Sequence, residues 1–157
     1  MTKYGKMFDQ GPAMTDLKLL ALDSEDLDVL SAHVQDAVVR VVDMGYARAD
    51  RRFALLMNRY DWSSDQPRSK GLRKRAGLHF DRVQNVAYAG FDPAAPEGVL
   101  NLLALTFTPT PDGVSGVVEL TFAGGGTVRL TVECLEARLG DLGSAWAAAA
   151  KPAHALD

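Results

Sequence analysis

Three groupings of side chains in this sequence could carry chemistry. The first is His79 with Asp81. Residues two apart on a strand share a face, so the carboxylate could orient the imidazole as a general base or begin a metal site. No third member is apparent: His33 and His154 lie far away in sequence, and no HExxH spacing occurs. His33 flanks the apolar stripe of an expected helix as a boundary residue, and His154 falls in the expected tail. A solvated polar pair on a strand explains His79 and Asp81 more simply than catalysis does. The second grouping is Cys134 alone. A nucleophilic thiol needs a partner that lowers its pKa, but Cys134 alternates with Val128, Leu130 and Val132. That phase places it in the core, where free Cys behaves as a small apolar residue.

The third grouping is a basic zone. Residues 48–82 carry ten basic and four acidic side chains, a net +6, which leaves −9 for the rest of a chain whose total is −3. Within it, Asn58-Arg59-Tyr60-Asp61-Trp62 mixes aromatic and polar groups and leads into SSDQPRSKGLRKR over 63–75. Arg and Lys could contact phosphates while Tyr60 or Trp62 stacks on a base. The same residue types also dominate protein-interface hot spots. The expected contact zone is therefore Arg59, Trp62, Arg68, Lys70, Arg73, Lys74 and Arg75. Against it stands a structural reading, in which Tyr60 and Trp62 share a face with Leu56 and complete the core. An overall pI near 5.6 weighs against a general nucleic-acid binder.

Two other patterns carry no chemistry. Gly124-Gly125-Gly126 lacks the Lys-Ser or Lys-Thr and the helix that a phosphate loop needs, so it reads as a hairpin turn. Ser63 and Ser64 near Asp61 and Asp65 form no recognisable nucleophile motif. No pattern calls for a cofactor or a metal, and the single Cys excludes an internal disulfide and any cysteine zinc cage.

The elements that must position these residues follow from periodicity. Residues 17–22 read as a strand. A helix follows over 24–36, with Asp23 as N-cap, Leu22 and Leu27 as a staple pair, and Leu27, Leu30 and Val34 as one stripe. The β-branched run Val38, Val39, Val41, Val42 predicts a strand over 37–47, paired as a hairpin with a second strand from Phe53 to Trp62. Residues 63–75 form a loop, 76–89 a strand and 91–98 a loop. Val99 to Phe107 is almost wholly apolar and predicts a strand buried on both faces. A hairpin over 118–134 turns at the three glycines. Leu135, Leu139, Leu142, Trp146 and Ala149 recur at helical spacing and predict a C-terminal helix.

The resulting fold class is α+β: a mainly antiparallel, curled sheet of about seven strands with two helices, with the pleckstrin-homology-like barrel as the architectural analogy. Residues 16–151 make one globular domain, 1–15 a loose N-terminal tail with an alternative start at Met14, and 152–157 a C-terminal tail. The longest uncharged stretch, 98–111, is too short to span a bilayer. With no secretory signal and one cysteine, a cytoplasmic protein is expected.

Three segments carry a family resemblance: LKLLALDSEDLDVLSAHVQDAVVRVVDMGYARADRRFALLMNRYDW, RAGLHFDRV and FAGGGTVRLTVECLEARLGDLGSAW. They resemble a bacterial family of unknown function over about residues 17–92 and 98–147. The resemblance implies no activity, cofactor or catalytic residue.

The residues alone favour a non-catalytic binding or protein-interaction module working through the basic, aromatic-edged zone. The alternatives are a small enzyme acting on an anionic metabolite through His79 and Asp81, and a nucleic-acid-binding protein. An edge strand also leaves self-pairing into a homo-oligomer open.

Overall fold

The computed structural model describes residues 17–61 and 73–142. Ten strands and one α-helix are found there: β1 (Lys18–Ala21), α1 (Ser24–Val34), β2 (Val38–Arg40), β3 (Met44–Ala47), β4 (Arg52–Tyr60), β5 (Arg73–Phe80), β6 (Val83–Ala89), β7 (Val99–Pro109), β8 (Gly116–Phe122), β9 (Thr127–Val132) and β10 (Ala137–Asp141). The strands join antiparallel in the order β1-β10-β5-β4-β2-β7-β8-β9-β6, with β3 beside β4. The α+β class holds, with more strands than the seven expected. The two ends of this path, β1 and β6, do not pair with each other, so the sheet is open and the barrel analogy is not supported.

Local chemistry explains most of the elements. Asp23 is extended (φ −148°) and its Oδ1 accepts the Asp26 amide at 2.8 Å, which caps α1. The buried residues of the helix are Leu27, Leu30 and Val34, the expected stripe, whereas the staple candidate Leu22 stays exposed. In the β8–β9 hairpin, Val118, Leu120, Phe122, Val128, Leu130 and Val132 all turn inward. Gly124 and Gly125 take φ of +89° and +97°, conformations that favour residues without a Cβ.

Five expectations need correction. The run over 37–47 is two strands, because a 3-10 turn at Val41–Asp43 interrupts it: β2 lies between β4 and β7, and past the turn β3 pairs with β4. The run over 76–89 is also two strands. Arg82 adopts φ +60° between β5 and β6, and the chain leaves the side of β4 and β10 for that of β9. β7 is not buried on both faces: Leu102 and Leu105 are buried while Val99 and Leu103 are exposed. The expected C-terminal helix does not begin at Leu135. Residues Ala137–Asp141 form strand β10 between β1 and β5, and the remainder of that expected helix, with Trp146, lies outside the described residues. Cys134, expected in the core by its alternation with Val132, instead sits past the end of β9, where that alternation has ended, and is only partly buried.

The inner face of β4 and β5 (Phe53, Leu55, Met57, Leu78, Phe80) packs in one cluster with Leu102 and Leu105 of β7, the β8–β9 hairpin and α1. Burying this apolar surface is the main drive to fold. It also leaves the opposite face of β1, β10, β5 and β4 outside the core.

Candidate functional site

That outer face holds a trough whose shape follows from the strand register. Leu20, Arg138, His79 and Ala54 align across β1, β10, β5 and β4. Two residues along, Lys18, Gly140, Gly77 and Leu56 form the next row. Leu142 and Asp43 stand beyond it. The middle row contributes two glycines from adjacent strands, so the sheet is lowest there and the flanking rows rise as walls. The result is a concavity of about 580 Å³ bounded by these residues, within the size range of small-molecule sites. A Cβ at Gly140 would meet nothing within 4 Å, and one at Gly77 would meet only Leu56 Cδ2 at 3.7 Å. Open space above the floor, and not crowding beneath it, is what these glycines provide. A third glycine, Gly45 on β3, pairs with Ala54 and is equally open.

The walls are largely apolar, with Lys18, Arg138, His79 and Asp43 as the charged or titratable members. Asp43 lies 3.5 Å from Arg75, which offsets its charge. Lys18 has no ion-pair partner among the described residues. Arg138 is 54% exposed, and its nearest carboxylate, on Glu136, is 3.9 Å away.

His79 lines the trough, but Asp81 does not. The two approach without a hydrogen bond: Nδ1 lies 3.3 Å from Asp81 Oδ2 and is buried with no hydrogen-bond partner among the described residues. Asp81 Oδ1 instead accepts from Arg52 Nε at 2.6 Å, so the carboxylate is engaged by Arg52. Burial, then the nearby Arg52 guanidinium, holds the His79 pKa below its ordinary value despite Asp81. The imidazole is thus neutral at neutral pH. No group of three or more His, Cys, Asp or Glu among the described residues could hold a metal ion.

The basic zone is arranged differently from a free cationic patch. Arg59 is in phase with Phe53, Leu55 and Met57 and lies inside. Its Nε and Nη2 donate to Asp141 Oδ1 and Oδ2 at 2.8 and 2.6 Å, with both side chains 1% exposed. Asp141 Oδ2 also accepts the Leu17 amide at 2.8 Å, so this pair ties β4 to β10 and to the start of β1. Arg73, expected in a loop, opens β5; its guanidinium stacks over Tyr60 with Cζ 3.9 Å from the ring centroid. Lys74 pairs with Asp61 at 3.5 Å and Arg75 with Asp43 at the same distance. The other members of the expected contact zone, Trp62, Arg68 and Lys70, lie outside the described residues.

Sequence reasoning passed over Lys18, Gly77, Gly140 and Arg138. A signal for the glycines was present in principle: an isolated Gly within a strand often marks a close approach or an open surface. Helical spacing hides Gly140, because Leu135, Leu139 and Leu142 around it fit a helical period. His33, expected at a helix boundary, is half-buried, and burial followed by the Arg59 charge lowers its pKa.

Among the described residues, no helix is long and apolar enough to cross a membrane. A family described only as a protein of unknown function, DUF2948, matches residues 17–154. No curated protein and no solved structure matches the chain.

Proposed function

We propose that this chain, which belongs to the DUF2948 family of proteins of unknown function, is a non-catalytic binding module whose ligand seat is the glycine-floored trough. The observation that carries this reading is the pair Gly77 and Gly140, adjacent across β5 and β10, above which an apolar-walled space of about 580 Å³ opens. Strand interiors disfavour glycine because it orders at high entropic cost and packs nothing. Two of them side by side under a concavity make sense if the space above them is used. Small-molecule sites have this composition, mostly apolar with a few polar groups that set orientation.

Catalysis has weaker support. His79 is on the wall with Asp81 behind it, but Asp81 is engaged by Arg52 and makes no hydrogen bond to His79, and the other carboxylate at the trough, Asp43, is paired with Arg75. A contact zone for polyanions on the basic segment is also less favoured, because Arg59, Arg73, Lys74 and Arg75 are engaged within the chain.

The test fills the trough from its floor. Gly77→Val and Gly140→Val place side chains in open space and install a residue suited to strands. Nile red, a neutral solvatochromic dye, should bind the unaltered protein one to one with a blue-shifted emission. Each variant should lose that binding while its thermal midpoint stays the same or rises. Equal dye binding by both variants would refute the assignment.

A further inference from the structure

We infer that the trough takes an extended, medium-length alkyl carboxylate laid across the strands, with its head at Lys18 and Arg138 and its tail toward Leu56. This rests on the binding-module reading and adds to it a ligand class and a direction. The trough runs from β1 to β4, three inter-strand steps, or about 14 Å at the usual strand spacing. Its two ends differ chemically. At the β1 end, Lys18 and Arg138 are diagonal neighbours on one face, within reach of a single head group. Among the described residues Lys18 has no ion-pair partner and Arg138 only a long contact with Glu136, so both have donors to give. An arginine fork matches a carboxylate in two hydrogen bonds, and a lysine adds a point charge. At the β4 end the floor and wall are Leu56 and Ala54. The one carboxylate on the rim among the described residues, Asp43, is offset by Arg75 and is no counterpart for a cationic ligand. An anionic head at the β1 end with an unbranched apolar body therefore complements both charge and shape, whereas an alkylamine would face two cations.

The experiment is calorimetry on the full chain with decanoate, decanol and decylamine, all below their aggregation thresholds. The expected order is decanoate tightest with one site, decanol weaker, and decylamine weaker than decanoate by about tenfold or more. Lys18→Gln combined with Arg138→Gln should remove the advantage of decanoate over decanol and leave decanol unchanged. Gly140→Val should abolish binding of both. Decylamine binding as tightly as decanoate, or decanoate binding unaffected by the double substitution, would overturn the carboxylate assignment alone. Failure of both decanol and decanoate to bind, or their indifference to Gly140→Val, would overturn the binding-module reading as well. Sedimentation distinguishes a second copy as occupant: a dimer that Gly140→Val dissociates would overturn the carboxylate. Tighter decanoate binding in Trp146→Ala would also overturn it, by pointing to the chain's own C-terminal residues as the occupant.

Discussion

Removing either partner of the Arg59–Asp141 pair should be far more damaging than removing both. Arg59→Met leaves a carboxylate inside the protein with little beyond the Leu17 amide to satisfy it; Asp141→Leu leaves a guanidinium there and orphans that amide. With both side chains 1% exposed, water cannot compensate, and breaking a buried pair from one side typically costs about 3–5 kcal/mol. That is a third or more of the total stability of many domains, about 5–15 kcal/mol. At ~2–4 °C per kcal/mol for a chain of this size, each single variant should melt roughly 10 °C lower. The double variant removes both charges and fills much of their volume with apolar atoms. Its main residual cost is the orphaned Leu17 amide, about 1–3 kcal/mol. Summing the two single losses would predict about 6–10 kcal/mol, so the coupling energy should be at least about 3 kcal/mol. Urea unfolding followed by far-ultraviolet circular dichroism, with linear extrapolation, measures all four corners of the cycle. If a single variant is too unstable to fold, recovery of a cooperative transition in the double variant is itself the readout. Single losses under about 1 kcal/mol, as for a surface ion pair, or a double variant losing the full sum, would refute the argument.

Two further predictions concern protonation. The His79 Hε1 resonance should titrate below pH 6.5; Arg52→Gln should raise its midpoint and Asp81→Asn should lower it further, because burial and Arg52 depress the pKa while Asp81 opposes them. Since the unfolded chain binds a proton near pH 6.5 that the folded imidazole refuses, the His79 contribution should make stability fall as pH drops below about 6.5, and a midpoint at or above 6.5 would contradict this. Asp112 accepts from Thr110 Oγ1, the Val114 amide and both the amide and hydroxyl of Ser115, which holds its carboxyl down at about 2. Its stabilising contribution should be complete above the unfolded value of 3.8 and vanish as pH falls through about 2; a carboxyl carbon titration centred near 4, or unchanged amide exchange at Val114 and Ser115 in Asp112→Ala, would count against it.

What could be read from the sequence, and what could not, follows from how many physical alternatives each pattern admits. The α1 cap and stripe were legible because an N-cap side chain and a 3.6-residue period are local and mutually reinforcing. The β8–β9 hairpin was legible because six inward residues alternate on either side of a glycine turn. The segment after Cys134 was not, because the four-residue spacing of Leu135 and Leu139 satisfies both periods: it is close to one helical turn and also two full strand repeats. Read as a strand, it buries Ala137, Leu139 and Asp141 in sequence. That phase would have predicted a buried acid in need of a buried base. Arg59, in the same phase as Phe53, Leu55 and Met57, was the matching base. Each charge looked like surface chemistry when read alone, because charged side chains almost never go fully inside unless paired. The pairing joins residues 82 apart, so no local pattern could reveal it. The trough has the same origin: Gly77 and Gly140 are neighbours only because β10 pairs with β5. Its floor, its cationic end and the internal ion pair all depend on the one strand that helical spacing concealed.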